Sequence, residues 1–233
     1  MSKLLLASTS TVHGGTYLSY LSTVVQEHFS GCKNIVFIPF ARPGGISFDE
    51  YTAHVQKALH PWGFTVRGWH TFHSPEEACH EADGFFTGGG NSFVLLRELI
   101  STGSLPLLQE AVQKGKPYMG SSAGTNIAGL TIGTTNDMPI VHPAHLNALA
   151  CIPCNINPHY QDPAPGSTHM GETREQRIAE FHVFNQQPVL GLREGSWLKV
   201  NESQIELCGP HTLRLFRHDK TPEEVTPGLL SLV

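Results

Sequence analysis

Ser122 stands at the centre of Gly120-Ser121-Ser122-Ala123-Gly124, a G-x-S-x-G pattern that follows an apolar run and precedes a stretch of small residues. A serine at a sharp strand-to-helix turn is held with its hydroxyl exposed, and flanking glycines remove the Cβ atoms that would collide there. The N–H groups that open the following helix, Ala123 first, are placed to receive a developing oxyanion. A second run, Thr87-Gly88-Gly89-Gly90-Asn91-Ser92, also closes an apolar segment and opens a helical one. Its N–H groups at Gly89 and Gly90 are candidates for a second oxyanion donor. It lacks the GK[ST] ending of a phosphate loop, which disfavours nucleotide binding. On bare pattern either run is only a glycine-rich turn; the strand before and helix after give Ser122 its claim as a nucleophile.

A serine hydroxyl is a weak nucleophile near neutrality and needs a base within hydrogen-bond reach. Among fourteen histidines, His159 is singled out by Asn157-Pro158-His159-Tyr160, where it closes a strand-like run over 150–156. His142, His145 and His169 share that irregular region and stay open. The carboxylate that fixes the imidazole tautomer has two candidates. Glu194 follows the apolar run 189–192 and precedes Gly195, while Asp137 lies between nucleophile and base and gives the order Ser, Asp, His. Each also fits a turn-stabilising carboxylate. Cys151-Ile152-Pro153-Cys154 and the pair His142 and His145 mimic zinc-ligand spacing, but inside a strand-like run the two thiols need not converge, and buried, inert cysteines are the expectation.

These residues need a scaffold. Short apolar runs at 4–7, 35–39, 64–69, 84–87 and 117–120 alternate with helical periods at 16–29, 48–59, 75–82, 92–100 and 105–114, the pattern of parallel strands joined by crossover helices. Ser74-Pro75-Glu76-Glu77 marks one helix start, with serine as cap, proline at the first position and Glu77 able to complete a capping box. After about residue 186, runs at 189–192, 197–200, 204–207 and 212–216 separated by turn residues predict an antiparallel extension of the sheet. The segment 136–171 is long, rich in proline and histidine, and weak in period, which makes it the place to look for chemistry.

The 233 residues suit one domain over 1–233. A net charge of −5 and the absence of a basic stretch argue against nucleic acid as a partner. The first apolar run is too short for a signal or membrane segment, so no membrane partner is expected. Five scattered cysteines do not form a disulfide framework and point to a cytoplasmic, reducing compartment.

TGGGN (87–91), GSSAG (120–124), NDMPIV (136–141), INPHY (156–160), GETREQRI (171–178) and GLREGSW (191–197) occur in this order, and together they resemble the peptidase E family over nearly the whole chain. The resemblance implies a class I glutamine amidotransferase-like fold: an α/β three-layer sandwich with a mostly parallel central sheet and an antiparallel C-terminal extension, serine replacing the nucleophilic cysteine. It implies Ser122 as nucleophile and His159 as base, and points to Glu194 as the acid, although Asp137 also falls on a family motif. The implied activity is removal of an N-terminal aspartate from Asp-X dipeptides with no metal or other cofactor, by a monomer or small homo-oligomer. By the same residue match Arg174 is implied to bind the aspartyl carboxylate, with Asn91 as a further polar contact. A guanidinium fork suits an acidic side chain inside a protein of net negative charge. The alternatives are a cyanophycinase-like hydrolase of aspartyl-arginine bonds and a catalytically silent small-molecule binder on the same fold. An esterase with His211 or His218 as base is a third.

Overall fold

The computed structural model describes residues 2–163, 166 and 171–232. Five parallel strands form its centre: β1 (Lys3–Ala7), β2 (Asn34–Ile38), β3 (Thr65–Gly68), β4 (Gly84–Thr87) and β5 (Tyr118–Ser121). They lie in the order β1-β5-β4-β2-β3. Three later strands extend the β1 edge in antiparallel fashion: β8 (Trp197–Asn201), β9 (Gln204–Cys208) and β12 (Gly228–Leu229). The predicted C-terminal extension is therefore present, with one difference. Strands β6 (Asn155–Pro158), β7 (Val189–Leu192), β10 (Leu213–Phe216) and β11 (Glu223–Val225) make a second sheet, ordered β11-β10-β7-β6, in which β6 and β7 run parallel.

Why the central strands read as unbroken apolar runs is visible in how they pack. Leu4 and Leu6, Val36 and Ile38, Phe85, and Tyr118 point into one core; Leu5 and Ala7, Ile35 and Phe37, Phe86, and Met119 point into another. A strand buried on both faces has no polar side to alternate with. Helices α1 (Ser22–His28) and α2 (Phe48–Leu59) cover the second core through Val25, Tyr51, Val55 and Leu59. The first is covered by α3 (Pro75–Glu81), α4 (Ser92–Ser101), α5 (Ser104–Gln113) and the short α6 (Ala123–Asn126). This is the three-layer arrangement that the family resemblance implies.

Three expectations need correction. The helix expected over 16–29 is a 3-10 turn at Ser19–Leu21 followed by α1, because Leu18 adopts φ 58°, a left-handed conformation no helix propagates through. The strand expected over 150–156 begins only at Asn155; Ala150 sits at φ 48° and Ile152 to Cys154 form a bend. At α3, Ser74 caps the Glu77 N–H as expected, but the Glu77 carboxylate receives the His73 N–H, one residue earlier than a capping box requires.

His28 is buried at the end of α1 with Nε2 3.1 Å from the Tyr118 carbonyl. Burial, aided by Lys3, pushes this imidazole from 6.5 down to about 3. Between those values the unfolded chain binds a proton that the folded one refuses, so folding stability falls as pH drops through that window. Urea unfolding across pH 3–7 is expected to show a shallower acid loss in His28→Phe than in the wild type; identical slopes would remove His28 from the account.

Candidate active site

The C-terminal ends of β1, β2, β4 and β5 converge, which in open α/β sheets is where ligands bind. Ser122 follows β5 directly and turns the chain into α6 with φ 54° and ψ −113°. This left-handed backbone is unusual for a residue with a Cβ and costs about 1–3 kcal/mol, sustained by the packing around it. That packing is backbone against backbone. A Cβ on Gly120 would land on the Gly124 carbonyl, and one on Gly124 would land on the Thr87 carbonyl. The Ser122 N–H donates to the Ala7 carbonyl at 3.1 Å, and the buried Thr125 hydroxyl donates to the same oxygen at 2.6 Å.

His159 follows β6, also at φ 54°, with Nε2 2.8 Å from Ser122 Oγ. Its Nδ1 lies 2.6 Å from Glu194 Oε1, two residues beyond β7. The parallel pairing of Pro158 with Leu192 sets this meeting, since the next residues along the two strands carry the imidazole and the carboxylate to one level. The side chains of His159 and Glu194 keep 32% and 48% of their surface exposed, so the pair opens to solvent and to ligand.

Asp137 is turned elsewhere. Its Oδ2 accepts the Ser92 N–H at 2.7 Å and the Thr135 hydroxyl at 3.0 Å, so its charge sits at the N-terminus of α4. Asn91 also belongs to that cap. Its side-chain oxygen accepts the Phe93 and Val94 N–H groups, and its amide donates to the Met138 carbonyl at 2.9 Å. Both residues shape the loop over α4. The glycine loop approaches the serine closely, with a Cβ on Gly89 falling 3.0 Å from Ser122 Cβ. Tyr51, buried in α2, donates its hydroxyl to the Gly89 carbonyl at 3.2 Å. With that carbonyl held, the trans peptide directs the Gly90 N–H the opposite way. Among the described residues the Gly89 and Gly90 N–H groups meet no acceptor, and the Ala123 N–H opens α6 without an intrahelical partner.

Arg174 is the first residue of α7 (Arg174–His182), whose N-terminus Thr173 and Gln176 close as a capping box. A cation at the positive end of a helix dipole does nothing for the helix. Its guanidinium is half-buried, burial lowering its pKa while Glu194 acts in the opposite direction, and Nη1 has no hydrogen-bond partner among the described residues. Its neighbours in the network are paired: Arg214 with Glu175 and Glu224, and Arg193 with Asp162 and Glu224.

Other candidates do not meet Ser122. His218 pairs with Asp219 at 2.9 Å, and His211 lies against Gly195 in a pocket that Glu194 also lines. His142 and His145 lie in the irregular segment beyond Asp137; His169 falls outside the described residues. Cys151 and Cys154 are free thiols, burial pushing Cys151 up to about 12 and Cys154 higher still. No cluster of three or more His, Cys, Asp or Glu among the described residues is arranged to hold a metal. Ser8, Tyr51 and Asn136 escape sequence reading. They are a buried serine past a strand, an apolar-face tyrosine and a loop asparagine; Asn136 falls in NDMPIV, but nothing there marks it as a link to the peptide before His159.

The sequence profile of peptidase family S51 matches residues 4–208. A Drosophila melanogaster protein named as a probable alpha-aspartyl dipeptidase is 47% identical over 227 residues, covering 96% of this chain and 93% of the fly protein. Peptidase E of Streptomyces coelicolor is 48% identical over 225 residues, covering 97% of this chain and 91% of that protein. A solved structure of a peptidase from an acI-B1 actinobacterium superposes with a TM-score of 0.73 at 14% identity, covering 97% of this chain and 94% of that one, a likeness of fold. On a match spanning nearly all of its length, this chain belongs to peptidase family S51.

Proposed function

We propose that the protein is a serine-type dipeptidase that removes an N-terminal aspartate from Asp-X dipeptides. The observation that carries the reading is the hydrogen-bonded series Ser122 Oγ, His159 Nε2, His159 Nδ1, Glu194 Oε1, at 2.8 and 2.6 Å, in a chain of this family. Its relatives' names supply the substrate class.

Ser122 Oγ adds to the carbonyl carbon of the aspartyl residue while His159 Nε2 takes the hydroxyl proton. Glu194 accepts the Nδ1–H and stabilises the imidazolium. The N–H groups of Gly89, Gly90 and Ala123 supply the donors for the oxyanion. Collapse of the tetrahedral adduct breaks the C–N bond, and the second residue leaves as an amine with the proton from His159. Water, deprotonated by the same imidazole, then cleaves the aspartyl ester and restores the serine. Arg174 holds the substrate's side-chain carboxylate, a role supported by its half-buried and partly unpartnered guanidinium. Asn91, with one amide hydrogen already on Met138, shapes the pocket wall. The substrate is a small peptide, and no helix among the described residues is long and apolar enough to cross a membrane.

The first test is hydrolysis of Asp-Leu, Asn-Leu, Glu-Leu and Ala-Leu with a chelator present. Asp-Leu alone is expected to be cleaved quickly, with Ser122→Ala losing at least about 10⁴-fold in kcat. Full activity in that variant sinks the serine mechanism. Arg174→Gln is expected to lower kcat/KM for Asp-Leu by about 10²-fold, the worth of one or two charge-assisted hydrogen bonds, and to change the slow reaction on Asn-Leu less than tenfold. An equal loss on both substrates would detach Arg174 from specificity.

Glu194 and Asp137 are separable by the same assay. Glu194→Gln is expected to cut kcat by about 10²–10⁴-fold, whereas Asp137→Asn, which weakens a helix cap, should lower Tm by roughly 2–4 °C and leave kcat within tenfold. The reverse pattern would make Asp137 the triad acid.

A further inference from the structure

Ser8 is fully buried one residue past the end of β1. Its hydroxyl oxygen accepts the His159 N–H at 2.8 Å and donates to the Leu192 carbonyl at 2.8 Å, two residues before Glu194. That carbonyl also accepts the Tyr160 N–H at 3.1 Å. The backbone of the same short segment reaches further. Ser8 N–H donates to the Ser196 carbonyl, and the Ala7 carbonyl accepts the Ser122 N–H, both at 3.1 Å. Residues 7 and 8 thus touch Ser122 and His159 directly, and flank Glu194 through Leu192 and Ser196.

We infer that Ser8 is a positioning residue, whose side chain fixes where His159 stands relative to Ser122 without touching substrate. Ser122 belongs to the central sheet, whereas His159 and Glu194 end strands of the second sheet; the two sheets share no strand ladder. At φ 54° the His159 N–H is turned out of the regular strand path and needs a partner of its own. A hydroxyl, with one proton and two lone pairs, is the smallest side chain that satisfies an N–H and a carbonyl at once. Other links between the layers act on β6 and on the opposite end of the same peptide. Asn126 and Thr134 donate to the Ile156 carbonyl at 2.7 and 3.2 Å, and Asn136 donates to the Pro158 carbonyl at 2.8 Å. With β6 anchored at Ile156, the last peptide before the imidazole is held at its carbonyl by Asn136 and at its N–H by the Ser8 hydroxyl, and it is Ser8 that ties it to the end of β1 beside Ser122. Reacting groups displaced by about 1 Å lose on the order of 10²-fold in rate. Polar and charged groups around the pair besides Ser122 include Tyr20 and Arg174, which both feel the Glu194 charge, His13 and His211 of the adjoining pocket of about 580 Å³, and Gln161, Asp162 and Arg193, which line a second pocket with Glu194.

The inference rests on the catalytic reading of Ser122, His159 and Glu194, so the test carries one readout independent of turnover. Ser8→Ala is compared with Thr134→Val, which removes a hydrogen bond of similar kind from β6 three residues upstream of His159. A fluorophosphonate counts competent sites, steady-state kinetics on Asp-Leu give kcat and KM per site, and proton NMR follows the low-field resonance expected from the His159 Nδ1–H held by Glu194. Ser8→Ala should lose about 10²-fold in kcat per titrated site with KM within threefold, and its low-field resonance should move or vanish. Thr134→Val should keep the resonance and stay within threefold in kcat. Retention of kcat and resonance in Ser8→Ala, or the same loss in both variants, overturns the inference. If Ser8→Ala does not accumulate in folded form, Ser8→Cys, close in volume but poor as donor and acceptor, is judged by the same outcomes. Should the wild type cleave none of the dipeptides, the peptidase reading falls, and Ser8 is decided on the resonance alone.

Discussion

The site depends on a hydrogen-bond series that crosses from one sheet to another. Ser122 is delivered by β5 of the central sheet, while His159 and Glu194 are delivered by β6 and β7 of the second. Within the second sheet their meeting comes from parallel register, Pro158 beside Leu192. Between the sheets nothing so regular operates, and the 2.8 Å contact of His159 with Ser122 stands on a handful of side-chain bonds from β1, α6 and the 130s loop. Side chains can hold backbone in this way only where burial excludes water as a competitor, and Ser8, Thr125 and Asn126 are all buried.

Two of the six non-glycine residues at positive φ among the described residues meet at the same place. Ser122 and His159 both occupy the left-handed region, as does Gly90 in the facing loop at φ 146°. Two non-glycine residues there represent a cost of a few kcal/mol that extensive apolar burial on both faces of the central sheet offsets. A site distorted by need is thus set into a scaffold with ordinary parallel-sheet packing.

How much of this is legible in the sequence depends on how local each determinant is. The strand before Ser122 and the helix after it are read from adjacent residues, and the nucleophile candidate comes with them. His159 is found because Pro158 marks the end of a run, though the run is drawn too long: nothing in Ala150 announces a left-handed residue, and Cys151 to Cys154 look as strand-like as Asn155 to Pro158. The choice between Glu194 and Asp137 is not legible from the residues. Where each carboxylate lies depends on how strands more than thirty residues apart align, which brings Glu194 to His159, and on an α4 N-terminus that takes the aspartate for itself. Ser8 leaves no mark, because a serine after an apolar strand looks the same whether it meets solvent or a catalytic backbone.

The thiols close the picture. A deprotonated sulfur is what alkylating agents and peroxides attack. Held at about 12 by burial, Cys151 exposes on the order of one thiolate in 10⁵ molecules at neutral pH, and Cys154 fewer still. The turn at Ser122 carries oxygen instead of sulfur. Oxidants that arrest thiol-dependent hydrolases therefore find poor targets in these two thiols.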